Sequence, residues 1–268
     1  MSYQQLPQEE RYPVGPPQYS SVEDQNVAPG EGAPARSDGD DVPDDFKYST
    51  SVASCELSIR QGFIRRVYTI LSAQLLVTGA IGFVVSHNKS VQAWALTHIW
   101  AFYVSLFGSI ALMVAAFIKQ RSYPINMVFL GGFTVLESYA IGTVSSLYDT
   151  RVVIQAVGIT TIVFVGLTLF AMQTKYDITK WQGMLGALLW GLIGFGLISI
   201  FLPFGSKVEL VYSALGALVF SGYIMVDTQL IMKRYHPEDE VAASISLYLD
   251  IINLFLYILR ILNEVQDN

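Results

Sequence analysis

The chain has 268 residues, 52% of them apolar and only 14% charged, with a net charge of −6. So little charge cannot cover a soluble surface of this size, but it is natural where lipid is the outer solvent, so the class is membrane protein. The acidity is local, because residues 1–46 carry ten acids against Arg11 and Arg36, a balance of −8 that leaves +2 of the −6 total for the rest; no basic surface recommends a nucleic-acid partner.

In chain order, residues 1–46 are rich in Pro, Gly, Gln, Ser and acids and lack an apolar period. They cannot bury enough surface to offset chain entropy, and a disordered cytosolic tail is expected. Within it, Pro16-Pro17-Gln18-Tyr19 fits the P-P-x-Y pattern bound by WW domains, since paired prolines preset the extended shape those aromatic grooves accept. Tyr3-Gln4-Gln5-Leu6 resembles a tyrosine-based sorting signal. The polar start lacks a short apolar leader, so the first span is expected to act as the internal targeting signal. Cys55 is the only cysteine, which rules out an internal disulfide, C-x-x-C redox chemistry and a cysteine metal cluster.

Seven apolar stretches follow, near 67–87, 96–118, 124–147, 152–172, 183–204, 209–232 and 242–262, each about the 20 residues that cross a hydrocarbon core. Their short connections make consecutive helices antiparallel neighbours. Nine cations (Arg60, Arg65, Arg66, Lys119, Arg121, Lys175, Lys180, Lys233 and Arg234) fall on one side, against Lys89, Arg151 and Lys207 on the other. The positive-inside rule therefore places the N-terminus in the cytosol. Arg260 leaves the seventh segment open between a full span and a re-entrant one. The sequon Asn88-Lys89-Ser90 lies in so short a loop that it is expected to stay unmodified. Gly183, Gly186, Gly191, Gly194 and Gly196 crowd the fifth span, where small residues let helix backbones approach closely.

Three acids sit well inside apolar segments: Glu137, Asp227 and Asp250. A central charge costs at least about 2.5 kcal/mol on insertion scales, so each should face the protein interior or water. A buried acid kept neutral serves equally well as a hydrogen-bond donor between helices. Asp227 lies five residues before the cytosolic end of its span and Asp250 eight residues into the next, depths of about 7–8 and 12 Å on antiparallel neighbours. The two carboxyls can therefore meet, and two carboxylates in an apolar site resist joint ionisation and share a proton. Such a pair is a pH sensor and, once doubly ionised, a weak or transient oxygen site for Ca²⁺. Asn253, one turn after Asp250, can add an oxygen. Glu137, close to 20 Å deep in the third span, is a second station for a cation. Lys119 and Arg121 can reach inward as a cationic latch on the pair, or simply set topology. His87, His98 and His236 show no ligand spacing, and no phosphate loop or G-x-S-x-G elbow stands in a usable context, so neither a resident cofactor nor a metal enzyme is expected.

The run Ser246-Leu247-Tyr248-Leu249-Asp250-Ile251-Ile252-Asn253-Leu254-Phe255-Leu256 with Leu259-Arg260 resembles the C-terminal signature of the transmembrane Bax inhibitor motif family. Val226-Asp227-Thr228-Gln229 is similar to its sixth-span motif. Tyr123-Pro124-Ile125-Asn126, Gly131, the stretch around Glu137 and Asp45-Phe46-Lys47-Tyr48-Ser49 resemble the Lifeguard branch, in a fungal-type member. The resemblance covers residues 45–268. It implies an all-α, seven-helix membrane fold with the last helix central. It further implies a proton-sensitive calcium leak in endoplasmic reticulum, Golgi or vacuolar membranes, and suppression of stress-induced cell death. By position, Asp227 and Asp250 match the family's di-aspartyl sensor, with Ca²⁺ the transported ion. A bacterial relative holds that pair with an arginine where Gln120 stands here, between Lys119 and Arg121.

Two other readings remain. Intramembrane aspartyl proteases also pair aspartates on adjacent helices, but they share a G-x-G-D motif, whereas Asp227 follows Ile224-Met225-Val226 and Asp250 follows Leu247-Tyr248-Leu249. A non-conducting protein could instead recruit a WW-domain ubiquitin ligase through its tail or bind cell-death regulators through its core.

Overall fold

The computed structural model describes residues 51–202 and 205–267. The acidic tail with its motif at Pro16, Pro17 and Tyr19, the Tyr3–Leu6 signal and the Asp45–Ser49 stretch lie outside them. The described residues form eight α-helices and two 3₁₀ turns. The helices are α1 Leu57–His87, α2 Lys89–Thr97, α3 Ile99–Ile118, α4 Ile125–Ser145, α5 Thr150–Gln173, α6 Gln182–Phe201, α7 Ser206–Lys233 and α8 Glu240–Asp267; the turns are Val52–Ser54 and Ile178–Trp181. Every helix except α2 is long and apolar enough to cross a membrane, which gives the seven expected spans.

Two boundaries depart from the sequence reading, and one open alternative narrows. Hydropathy started the first span at residue 67, yet α1 begins at Leu57. Its first turns carry Arg60, Arg65 and Arg66, which no apolar window accepts but which a helix projecting beyond the core tolerates. Arg66 also has an anchor, since its guanidinium donates to the Pro237 carbonyl at 3.4 Å and lies 4.0 Å from Glu240. The nine-residue α2 was not anticipated; Asn88 starts it by accepting from the backbone N–H groups of Ser90 and Val91. The seventh segment, open between a full span and a re-entrant one, is one unbroken helix of 28 residues, about 42 Å long, which is long and apolar enough for a full span.

The last helix is the axis. In its apolar window 56% of residues are buried, against 11% to 44% in the other six spans. It packs most extensively on α7 and also touches α1, α5, α3 and α4. Tyr248, Leu247, Ile245, Leu254 and Leu259 are fully buried at the centre of the core cluster.

Close helix approach relies on small and polar side chains, as expected where lipid offers no hydrophobic drive. On α1, Gln74, Thr78 and Gly82 recur every four residues, and on α4 Thr134, Ser138 and Gly142 do the same. The two stripes face each other. Gln74 donates to Thr134 Oγ1 at 3.1 Å, Thr78 and Ser138 hydroxyls lie 2.9 Å apart, and a Cβ on Gly142 would stand 3.1 Å from Gly82 Cα. The glycines of α6 behave otherwise. Gly183, Gly191 and Gly194 have nothing within 4 Å of a would-be Cβ, and only Gly196, against the Tyr212 hydroxyl, is tight. Close packing was expected there, but α6 is the outermost span and most of its surface faces lipid.

One end of the bundle gathers the basic segments. The Val52 N–H donates to the Tyr235 carbonyl, Arg66 reaches the α7–α8 turn, and Gln229 of α7 holds the α5–α6 connection. We call this the basic end. At the far end Gln92 bonds Ser146, Gln266 bonds Gln155, and Ser206 donates to Glu264.

Candidate functional site

The α7–α8 hairpin positions the central pair. Asp227 lies six residues before the end of α7 and Asp250 ten residues into α8, about 9 and 15 Å along the respective helices from the basic end. Antiparallel packing brings the two carboxyls close enough to interact directly. A hydrogen bond between them would need a proton on one of the two, because a carboxylate only accepts. Asp227 is half-buried and Asp250 only 6% exposed, and Asp250 Oδ2 is buried without a protein partner. An orphaned carboxyl oxygen in an otherwise apolar core is a place for an ordered water or a hard cation.

Around the pair, Tyr223 stands one turn from Asp227, and Tyr235 lies at the basic end with its hydroxyl 3.3 Å from Ser246 Oγ. Both phenols are within electrostatic reach of the two carboxyls. Asn253 is half-buried on the same face of α8; its amide donates to the Leu249 carbonyl at 2.8 Å, which turns its oxygen away from that bond.

The candidate latch residues occupy a different position. Arg121 grips Asp239 with a two-pronged contact, Nε to Oδ1 at 2.8 Å and Nη2 to Oδ2 at 3.1 Å. Arginine and carboxylate geometry match well in such forks. Arg121 thus ties the α3–α4 connection to the α7–α8 turn instead of engaging Asp227 or Asp250 in this structure. Lys119 caps α3 and is exposed. Together with the Arg66 contacts, this makes a cationic clamp on the turn that carries the pair, one step removed from the carboxyls themselves.

Glu137 belongs to another interface. It is half-buried on α4 and accepts a hydrogen bond from Ser109 of α3 at 2.7 Å. Tyr248 is fully buried two residues before Asp250. Its hydroxyl lies 2.8 Å from Thr78 Oγ1, and its ring meets Phe133 edge-on at 5.6 Å. The structure therefore brings Asp227 and Asp250 together but leaves Glu137 apart from them. Sequence reading missed the Gln74–Thr78–Ser138–Tyr248 belt; its signal was the four-residue spacing of polar and small residues on two apolar helices.

Gln229 was read only as part of a motif, and it has a structural task. Fully buried, it accepts from the Ile178 N–H at 2.8 Å and donates to the Tyr176 carbonyl at 2.8 Å. The 3₁₀ turn it supports is capped by Asp177, whose carboxyl accepts from the Thr179 hydroxyl at 2.6 Å and is held below the usual carboxylate range mainly by that bond. Gln229→Leu strands two backbone groups in an apolar setting at about 1–3 kcal/mol each. A clear fall in the thermal midpoint of detergent-solubilised protein is expected; an unchanged midpoint would contradict the role.

Among the described residues no group of three or more His, Cys, Asp or Glu side chains could hold a metal ion. The pair by itself supplies too few oxygens for tight Ca²⁺ binding, which takes six to eight, and suits weak or transient contact.

Residues 60–267 match the family model described as inhibitor of apoptosis-promoting Bax1. The chain is 41% identical to Bax inhibitor 1 of Schizosaccharomyces pombe over 225 residues, covering 84% of this chain and 85% of that protein. It is 42% identical to the Golgi anti-apoptotic protein of Vaccinia virus over 226 residues, 84% of this chain and 94% of the viral one. It is 40% identical to protein lifeguard 4 of Mus musculus over 225 residues, again 84% and 94%. With seven spans in order, a central last helix and the paired aspartates within the matched region, the chain belongs to the Bax inhibitor family.

Proposed function

We propose that the protein is a proton-sensitive, Ca²⁺-permeable leak pathway of an intracellular membrane that restrains cell death. The carrying observation is the juxtaposed Asp227–Asp250 pair, held inside apolar helices with one carboxyl oxygen unpartnered. Two acids kept in such a setting give a site whose charge changes with proton supply, and whose ionised form attracts a hard divalent cation. The names of the fission yeast, viral and mouse relatives support the link to cell death, and that of the viral one favours a Golgi membrane among the endoplasmic reticulum, Golgi and vacuole. The basic end faces the cytosol by the positive-inside rule, with residues 1–46 as a cytosolic tail joined to a seven-span domain over 47–268. Pro16, Pro17 and Tyr19 there recruit a WW-domain ubiquitin ligase, a contact that Tyr19→Ala would abolish in a pull-down. The activity is transport, without a catalytic residue or resident cofactor.

The test is Ca²⁺ release from proteoliposomes across pH, wild type against the Asp227→Asn/Asp250→Asn double variant. Loss of the pH response in the variant is expected. Release and pH profile unchanged from wild type would overturn the reading, and stress protection that survives loss of both aspartates would shift the activity to protein interaction.

A further inference from the structure

A second feature sits on the same α7–α8 interface, nearer the far end. There a polar crevice of about 290 Å³ is lined by Ser199, Glu209, Ser213, Arg260, Asn263 and Glu264. Its inner wall is aromatic. Tyr212 donates its hydroxyl to the Leu192 carbonyl at 3.1 Å and accepts from the Tyr257 hydroxyl at 3.2 Å, with the two rings edge-on at 5.7 Å. Tyr257 stacks on Phe220 at 5.8 Å, and Phe220 leans on Tyr223 at 6.0 Å. Tyr223 is one turn from Asp227, and Tyr257 is two turns from Asp250 on the same face of α8. The rings therefore form a continuous column from the polar crevice to the carboxyl pair.

We propose that this column of Tyr212, Tyr257, Phe220 and Tyr223 is the closed constriction that separates the far-end crevice from the carboxyl pair, with Tyr257 its moving ring. This rests on the cation-path reading above only for the identity of what passes. Constrictions poor in free polar groups block ions by excluding water, and here the Tyr212 and Tyr257 hydroxyls are engaged with each other and with the Leu192 carbonyl, so they are not offered to a hydrated cation. Two observations single out Tyr257. A Cβ on Gly216 of α7 would stand 2.4 Å from its ring, so the ring occupies space that only glycine leaves, and it is pressed directly against the α7 backbone. The Arg260 guanidinium also lies 5.9 Å from the ring centroid, where the ring face attracts positive charge. A cation drawn to Glu209 and Glu264 in the crevice would compete with Arg260 for that face, and a swing of the Tyr257 ring toward the crevice would open the column.

Two measurements on the full chain in proteoliposomes test this. At the pH where wild type is slowest, Tyr257→Ala and Phe220→Ala are each expected to raise Ca²⁺ release by about tenfold. In a Cys55→Ser background, a membrane-impermeant thiol reagent added from the far side is expected to label Ser199→Cys, which lines the crevice. Asn253→Cys, beyond the rings, should resist labelling until Tyr257→Ala is added. Labelling of Asn253→Cys with the column intact would overturn the proposal, as would a Tyr257→Ala protein in which neither release nor labelling changes. Labelling that follows the expected pattern without Ca²⁺ release from any variant would sustain the constriction and defeat the leak reading instead.

Discussion

Replacing Gly142 by alanine is expected to destabilise the protein, and replacement by leucine to prevent folded protein from accumulating. At this point α1 and α4 cross with almost no space between backbones: an alanine Cβ would lie 3.1 Å from Gly82 Cα and 3.4 Å from Val85 Cβ. The nearer neighbour is main chain and has no rotamer with which to move aside, so the helices themselves must separate. That separation pulls on the hydrogen bonds just along the same stripe, Thr78 to Ser138 and Gln74 to Thr134. Overpacking of this kind costs about 1–3 kcal/mol. The control is on the same helix: Gly131 has nothing within 4 Å of a would-be Cβ, and Gly131→Ala should leave the thermal midpoint near wild type. Equal midpoints for the two alanine variants would show that the crossing does not limit stability.

The second large effect concerns the carboxyl pair and has a definite sign. With a shared proton the pair carries at most one negative charge, and a hydrogen bond through that proton would draw α7 and α8 together. Raising the pH removes that proton and leaves two negative charges side by side, which repel across the hairpin and attract a divalent cation. Ca²⁺ release should therefore rise with pH in the wild type. Asparagine has nearly the volume of aspartate and donates an amide hydrogen to the remaining carboxylate, so either single variant imitates the proton-sharing state at every pH. Asp227→Asn and Asp250→Asn should each flatten the profile and hold release near its low-pH level. A single variant that keeps the full wild-type rise with pH would show that its aspartate is not one of the two groups sensing protons.

The position of Arg121 adds a constraint to this mechanism. Its fork onto Asp239, with the Arg66 contacts to Pro237 and Glu240, fixes the turn joining the two helices that carry the aspartates. If the pair ionises as proposed, its repulsion would act on a hairpin clamped at the basic end, and movement would be directed toward the aromatic column at the other.

Much of this molecule is legible in the sequence because the bilayer imposes so few solutions. Every backbone polar group inside lipid must be satisfied within its own helix, so seven apolar stretches of sufficient length fix seven helices. The short loops fix their antiparallel order, and counting residues along two antiparallel neighbours is enough to place Asp227 opposite Asp250. Helix ends were less legible: α1 extends ten residues past its hydropathy, since Arg60, Arg65 and Arg66 find water and the α7–α8 turn there. What only the tertiary structure decided is lateral contact. Sequence gives depth along a helix but not which face meets which neighbour, and so it could not tell that Arg121 holds Asp239, that Glu137 faces Ser109, or that Gly183, Gly191 and Gly194 of α6 meet no neighbouring helix. Those assignments depend on the rotation of each helix about its axis. That rotation is set by where small side chains such as Gly82, Gly142 and Gly216 let backbone and ring come close.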